Sequence, residues 1–198
     1  MSITAKLVGP TLETTGAHAG RACVAIEVGS GSPLAPEDLV RELRRLDTIR
    51  TYRAVITGAT AAAAWTDELA IPLRRAGFRI HLQTDGTQAP AGVVDWLAVT
   101  PRRGARLAEF HCDEVRVLVD ASSDVHELDG YAARWRCDHY LVQPKTRDDL
   151  AHCVQLVAAR PRWRLSLELC DVPPLTPAVG SPQRDVQPAA EAETTLLA

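Results

Sequence analysis

Polar residues stand where the strands predicted from the sequence end. Parallel sheets usually bind ligands at the carboxyl ends of their strands, so we take these residues as the candidate ligand-binding set. The set is Glu13, Glu27, Thr57, Thr60, Gln83, Asp85, Thr100, Arg102, Gln143, Lys145 and Glu168. Its mixed charge suits a small molecule, for example one that presents an amine to Glu13 and Glu27. It holds no nucleophile–histidine–acid trio, so no catalytic residue is predicted. The alternative is that several of these groups pair with one another.

Cysteines lie beside histidines at three places, which raises the question of a zinc site. The pairs are His111-Cys112, Cys137-x-His139 and His152-Cys153. Zinc ligands usually come in tighter pairs such as C-x₂₋₄-C or H-x₃₋₅-H, and these three pairs are not expected to converge. We therefore predict no metal site. The chain has five scattered cysteines, and this odd number predicts free thiols rather than a disulfide framework.

Short apolar runs alternate with longer amphipathic stretches, which is typical of an α/β protein with a mostly parallel sheet. Seven strands are predicted, over residues 23–28, 53–57, 78–84, 95–99, 114–119, 139–143 and 164–168. The segment Gly29-Ser30-Gly31-Ser32-Pro33 reads as a turn. Six or seven strands are fewer than the eight of a closed barrel, so we expect a partial (β/α) barrel or an open sheet.

Helix signals separate several of these strands. Pro36 opens one helix, with Leu39 and Leu43 at helical spacing. A second helix should kink or restart at Pro72. A third follows Thr146, a plausible N-cap with Asp149 three residues on, and it should bury the apolar face formed by Leu150, Cys153, Val154 and Val157.

Composition excludes several classes of function. The net charge of −3 and the lack of a long basic run argue against nucleic acid as a partner. No apolar stretch is long enough to span a bilayer and no secretory signal is recognisable, so we expect no membrane contact and a cytoplasmic location. Residues 1–171 are expected to form one domain, and 172–198, rich in Pro, Ala and Glu, a disordered tail.

Seven blocks, in order along the chain, resemble motifs of the 7-carboxy-7-deazaguanine synthases, a radical-SAM family. They are Gly9-Pro10-Thr11-Leu12 with Ala19-Gly20-Arg21, Ile56-Thr57-Gly58, Gln83-Thr84-Asp85-Gly86-Thr87, Asp95 to Arg102, Asp113 to Asp120, Tyr140 to Pro144 and Pro161 to Leu167. The resemblance implies a partial (β/α) barrel of radical-SAM type, usually a homodimer. It also implies a [4Fe-4S] cluster, S-adenosylmethionine (SAM) and Mg²⁺ as cofactors.

The departures from the family pattern fall on its cofactor and substrate motifs. The cysteine loop that would follow the first strand is replaced by Gly29 to Leu34, which contains no thiol. The family's TGGEP, whose glutamate holds SAM, is Thr57-Gly58-Ala59-Thr60-Ala61 here. Its substrate-binding arginine corresponds to Glu27, a reversal of charge, and its QGEG and LQTHK motifs are altered as well. We therefore expect the cluster, SAM and Mg²⁺ to be absent.

Two functions remain open from the sequence. The first is a non-radical pseudoenzyme that serves as a small-molecule-binding or partner subunit in a biosynthetic pathway, as a homodimer or as a heterodimer with a biosynthetic enzyme. The alternative is a repurposed enzyme that acts on a pterin, a deazapurine or another specialised metabolite without a cluster.

Overall fold

The structure, a computed structural model, describes residues 2–169 as one nine-stranded sheet with helices along it. The strands are β1 Ile3–Leu12, β2 Ala22–Val28, β3 Ser32–Leu34, β4 Arg53–Thr57, β5 Arg79–Thr84, β6 Trp96–Val99, β7 Glu114–Val119, β8 His139–Pro144 and β9 Arg164–Leu165. Their order is β3-β1-β2-β4-β5-β6-β7-β8-β9, so β3 and β9 are the two edges. The predicted tail, 172–198, lies outside the described residues.

All neighbouring strands from β2 to β9 pair in parallel, whereas β1 runs antiparallel to both β2 and β3. The α/β class and the mostly parallel sheet are confirmed. The count of six or seven strands is wrong, because β1 and β3 were not predicted. Gly9-Pro10 interrupts the apolar pattern of β1, at a break in its register with β2. Pro33 suggested a turn, yet an edge strand tolerates proline.

Five helices connect the parallel strands: α1 Pro36–Leu46, α2 Ala61–Ala64, α3 Asp67–Arg75, α4 Val125–Arg134 and α5 Leu150–Ala159. The start of α1 at Pro36 is confirmed. The break expected at Pro72 is misplaced, since α3 runs through Pro72 and the chain is instead extended at Trp65 and Thr66. The break buries Trp65 completely, and its indole Nε1 donates to the Val93 carbonyl at 3.2 Å.

The last helix is entered through a short 3₁₀ turn, Arg147–Asp149, which carries the predicted capping box of Thr146 and Asp149. The predicted apolar face of α5 is partly wrong. Val154 is 52% exposed, whereas Leu156 is buried beside Cys153. The helix α4 was not predicted. Asp124 caps it by accepting from the Glu127 amide at 2.9 Å.

Strand residues alternate between two faces of the sheet. One face, the helix-covered face, supplies Ile26, Ile56, Leu82, Val99 and Val117 to a core completed by helix residues such as Leu39, Leu69 and Leu128. The opposite face carries the intervening residues, many of them polar, and we call it the helix-free face. Within residues 2–169, no helix is long and apolar enough to cross a bilayer.

Candidate functional site

The helix-free face is covered by the loop between β1 and β2, residues 13–21. The Ala17 amide donates to the Glu114 carboxylate at 2.9 Å, and the Gly16 amide donates to the Ser166 hydroxyl at 3.1 Å. Gly16 has a φ of +84°, and a Cβ there would overlap the Glu114 carboxylate. A glycine is therefore required for the loop to lie this close to β7.

Two aromatic contacts hold the middle of this loop. The His18 ring lies 4.2 Å from the Trp96 ring and 4.6 Å from the His81 ring, centroid to centroid. Burial, together with the neighbouring His81, lowers the pKa of His18 from 6.5 to about 4. His18 is therefore neutral at physiological pH.

Glu13 forms a buried polar network at the base of the loop. Its Oε2 lies 3.5 Å from His81 Nδ1, and both side chains are 5% exposed. The Gln83 amide lies 3.5 Å from Glu13 Oε1, and Arg53 Nη1 lies 2.5 Å from His81 Nε2. Since a guanidinium is only a donor, the shorter contact makes His81 Nε2 the acceptor from Arg53, whose Nη1 also lies 3.2 Å from Nδ1. His81 thus links the Arg53 cation to the Glu13 carboxylate.

A second buried pair lies on β7. Glu114 Oε1 is 3.7 Å from Arg116 Nη1, with the two side chains 2% and 7% exposed. Arg116 also donates to the hydroxyls of Thr15 and Thr100. Burial raises the pKa of the Glu114 carboxyl and lowers the pKa of the Arg116 guanidinium. This pair anchors the loop to the centre of the sheet.

Two adjoining cavities open beside this network and share Thr57 and Gln83. One, of about 290 Å³, is also lined by Glu13, Glu27 and Cys23. Burial, followed by the Glu13 charge, raises the pKa of the Cys23 thiol to about 12, so this thiol is unreactive at neutral pH.

The other cavity, of about 270 Å³, is lined by Asp85, Thr100 and Arg102. Seven of the eleven candidate residues therefore line one continuous hollow: Glu13, Glu27, Thr57, Gln83, Asp85, Thr100 and Arg102. Its volume suits a small molecule.

The remaining four candidates line neither cavity. Thr60 is exposed before α2, and Glu168 is exposed beyond β9, within electrostatic range of Arg116. Lys145 lies 2.5 Å from Asp120. Gln143 is buried on the helix-free face, and its Oε1 has no hydrogen-bond partner in the structure.

Some candidates do pair with one another, as the alternative interpretation expected. Arg102 lies 2.5 Å from Asp85, and Asp120 is shared by Lys145 and Arg103. Against the effect of burial, hydrogen bonds from Thr87, followed by Arg102, lower the pKa of Asp85, and Lys145, Ser122 and Arg103 lower the pKa of Asp120. The pairing interpretation therefore fits these residues and the contact between Gln83 and Glu13 Oε1, and it leaves Glu13 Oε2 buried without a hydrogen-bond partner.

Sequence reasoning missed four strand residues that lie before the carboxyl ends of the strands: Arg53, His81, Glu114 and Arg116. Each alternates with apolar residues that face the core, as in Arg79-Ile80-His81-Leu82-Gln83. This alternation is a usable signal, since a parallel strand covered on both faces is apolar throughout. His18 was missed because nothing in a loop sequence shows what the loop packs against.

Within the described residues, three side chains of the types that ligate metal ions come together: Glu13, His18 and His81. Each has one potential metal-ligating atom, and these three atoms lie within 4.8 Å of one another. This arrangement was not foreseen. A metal bound to one ring nitrogen of His81 would leave the other nitrogen protonated. Two hydrogen-bond donors, this N–H and the Arg53 guanidinium, would then face each other, so the Arg53 contact argues against a metal at this place. The geometry favours the hydrogen-bonded network instead.

The described thiols do not converge near the hollow. Cys112 and Cys137 precede β7 and β8, at the opposite end of the strands from the hollow, and Cys153 is buried on α5. Only Cys23, on β2, reaches it. The described residues therefore do not offer the three thiolates from one loop that a SAM-binding cluster needs. Cys170 and Asp171 lie outside the described residues.

Comparisons with known proteins agree on one family. No family model matches the chain. It is 25% identical over 140 residues to the 7-carboxy-7-deazaguanine synthase of Bacteroides thetaiotaomicron, covering 70% of this chain and 72% of the relative. It is 26% identical over 202 aligned positions to that of Bradyrhizobium diazoefficiens, covering 85% and 96%.

A solved structure agrees in fold. QueE from Escherichia coli superposes with a TM-score of 0.69 at 19% identity, over 84% of this chain and 93% of that protein. The chain is thus a distant homologue of the 7-carboxy-7-deazaguanine synthases and shares their fold.

Proposed function

We propose that this distant homologue of 7-carboxy-7-deazaguanine synthases is a non-radical pseudoenzyme that binds a small molecule, or a partner protein, at the hollow on its helix-free face. One observation carries the proposal. The polypeptide that follows β2, where the resemblance would place a cluster loop, is a three-residue link, Gly29-Ser30-Gly31, that crosses directly to β3.

The tightness of this link supports the proposal. The Gly29 amide donates to the Thr4 carbonyl at 2.9 Å. Gly31 has a φ of +83°, and a Cβ there would overlap the Ala5 carbonyl oxygen. Ser32 then pairs with Ala5 on the outer side of β1. The link thus runs against the backbone of β1 and leaves no length of chain to surround an iron–sulfur cluster.

The segment that resembles the SAM-binding motif is also closed against β2. Gly58 has a φ of +124°, and a Cβ there would overlap the Val28 carbonyl oxygen. Ala59 and Thr60 stand in the place of the family's glycine and glutamate, so no carboxylate is available for an amino group at this point.

Anaerobic reconstitution with iron and sulfide tests the loss of the cluster. We expect the full chain to retain less than one iron per protomer after desalting and to show no visible charge-transfer band. A stable brown protein with about four irons per chain, as a [4Fe-4S] cluster requires, would refute the proposal.

The charge of the hollow indicates the kind of ligand. Glu13 presents a buried oxygen without a hydrogen-bond partner, and Glu27 is exposed, with Lys6 3.9 Å away. Arg102 is held by Asp85. A ligand with an amine, amidine or guanidine-like donor edge therefore fits better than a carboxylate. Aminopterins and aminopurines belong to this class.

Calorimetric titration with a panel of aminopterins, aminopurines and nucleosides tests this specificity. Glu13→Gln should weaken binding about 10- to 100-fold, since a charge-assisted hydrogen bond contributes roughly 1.5–3 kcal/mol. Glu37→Gln, on the exposed side of α1, is the matched control and should leave affinity unchanged. Equal affinity of the Glu13→Gln and unaltered proteins would show that the hollow is not the binding site.

The same titrations address the alternative, a repurposed enzyme. One observation favours it: the Glu13 carboxylate faces the hollow and is backed by His81 and Arg53, an arrangement that could hold a general base in place. Mass spectrometry of each ligand after incubation separates the two. Unchanged ligands support a binding subunit, and a product lost in Glu13→Gln supports an enzyme.

A homodimer, or a heterodimer with a biosynthetic enzyme, forms part of the proposal. Leu165, Leu167 and Leu169 are exposed along the β9 edge, where a second chain could cover them. Light scattering of the purified chain gives its mass, and a monomer at micromolar concentration would leave only the heterodimer.

A further inference from the structure

We propose that Cys112 and Cys137 form a redox-active dithiol, in which the Cys137 thiolate attacks hydroperoxides and Cys112 then closes a disulfide with it. This site lies at the amino ends of β7 and β8, away from the hollow, and it does not depend on the proposed function.

The sheet register brings the two cysteines level with each other. Glu114 pairs with His139 across β7 and β8, and each cysteine lies two residues before its member of this pair. The ladder continues below the pair, since the His139 amide donates to the Asp113 carbonyl at 3.1 Å. Neighbouring strands lie roughly 4.8 Å apart, and a disulfide needs a Cα separation of about 4.4–6.8 Å.

The two thiols interact with each other, and the Cys137 Sγ also lies 3.2 Å from the His139 carbonyl oxygen. Both cysteines are free, with Cys112 wholly buried and Cys137 partly exposed. An oxidant therefore reaches Cys137 first, and Cys112 stands behind it as the resolving thiol. The Cys23 and Cys153 side chains lie on other elements, β2 and α5, so neither competes for Cys137 within the described residues.

The surroundings of Cys137 favour its thiolate. The interaction with the Cys112 thiol, with help from backbone amides and against the effect of burial, lowers the pKa of Cys137, while the pKa of Cys112 is raised. Arg162 places a cation nearby, since its Nη2 donates to the Tyr140 hydroxyl at 2.7 Å and its guanidinium lies 4.0 Å from the Tyr140 ring centroid. A partly exposed thiol with a lowered pKa is the kind that oxidises selectively.

The chemistry balances with hydrogen peroxide as the oxidant. The Cys137 thiolate attacks one peroxide oxygen, the O–O bond breaks, and Cys137 becomes a sulfenic acid as hydroxide leaves and is protonated to water. The Cys112 sulfur then attacks the Cys137 sulfur, forms the S–S bond and expels a second hydroxide, which takes up the Cys112 proton. Two thiols and one peroxide thus give one disulfide and two waters.

Intact-mass analysis of the reduced full-length protein, before and after a few equivalents of hydrogen peroxide, tests the proposal. We expect a loss of 2 Da, reversed by dithiothreitol, and a Cys112–Cys137 cross-linked peptide in a digest made without reductant. Cys112→Ser should leave Cys137 as a sulfenic acid that dimedone labels. Cys153→Ser, at a cysteine buried in α5, is the control and should still form the link.

A measurement on the unaltered protein guards against a variant that fails to fold. With limiting iodoacetamide, the rate of alkylation should be highest at Cys137 and should rise over a lower pH range than at any other cysteine. A disulfide that uses Cys23, Cys153 or Cys170, no intramolecular link at all, or alkylation of Cys137 no faster than the others would each overturn the proposal.

Discussion

Removing the charge of Glu114 should loosen the loop that covers the helix-free face. Glu114 is 2% exposed and its carboxylate faces Arg116, which is 7% exposed, across 3.7 Å. At an effective dielectric constant of about 20, two unit charges at this distance attract each other by roughly 4 kcal/mol. Glu114→Gln keeps an oxygen for the Ala17 amide and removes the carboxylate closest to the buried Arg116 cation.

We expect Glu114→Gln to lower the free energy of unfolding by about 3 kcal/mol, at the lower end of the cost of breaking a buried ion pair. Part of the loss is offset by the hydrogen bond to Ala17, which a glutamine can still accept. For a domain of this size, the melting temperature should fall by roughly 6–12 °C. Glu109→Gln, at an exposed residue in a loop, is the matched control and should change stability by about 0.5 kcal/mol or less.

Urea denaturation followed by tryptophan fluorescence measures these differences. The double variant Glu114→Gln with Arg116→Met removes both charges, and it should be more stable than the sum of the two single losses predicts by about 2 kcal/mol. Limited proteolysis of Glu114→Gln should cut first within residues 13–21. A loss below about 1 kcal/mol, or strict additivity, would refute this reasoning and indicate that burial keeps the Glu114 carboxyl protonated at neutral pH, in line with the direction of its pKa shift.

Two further predictions concern the covering loop and the link after β2. The pKa of His18 is about 4 in the folded chain and 6.5 in the unfolded chain, so the unfolded state binds more protons between these values. Stability should therefore fall by about 1–2 kcal/mol, after discounting for solvent screening, as the pH drops from 6.5 to 4. In His18→Phe, the free energy of unfolding should depend less steeply on pH over this range. An unchanged slope would show that another group causes the pH dependence. In the link after β2, Gly31→Ala should lower the free energy of unfolding by about 2–3 kcal/mol, because of its φ of +83° and the clash with Ala5. Gly104→Ala is the control: with a φ of +76° and no atom within 4 Å of its Cβ, it should lower the free energy of unfolding by about 1 kcal/mol. Equal losses in the two alanine variants, measured by thermal denaturation, would show that Gly31 does not pack closely against β1.

The parallel part of the sheet was predictable because its strands are short apolar runs between turn and helix signals. The seven predicted strands correspond to β2 and β4 to β9. The strand β3 was not predictable because it depends on a neighbouring strand: it has three residues and forms only because β1 offers an unpaired edge. The break before α3 likewise follows from burying Trp65, a tertiary effect that local propensity does not contain.

The candidate site was predictable at the carboxyl ends of the strands and not at the earlier strand positions. Topology alone places Thr57, Gln83 and Thr100 together, since the carboxyl ends of β4 to β6 are neighbours. The pairing of Lys145 with Asp120 depends on side-chain length and direction, which sequence spacing does not give. The convergence of Cys112 and Cys137, judged not to be expected from spacing, follows from strand register.

Most of the buried polar atoms without hydrogen-bond partners lie on the helix-free face. Of the seven such side-chain atoms in the described residues, six lie on the helix-free face or its covering loop, on Glu13, His18, Trp96, Glu114, Arg116 and Gln143. Each costs about 1–3 kcal/mol when it stays unsatisfied. Among these six residues, only Glu13 lines the hollow, so Glu13 is the group that the proposed polar ligand would satisfy.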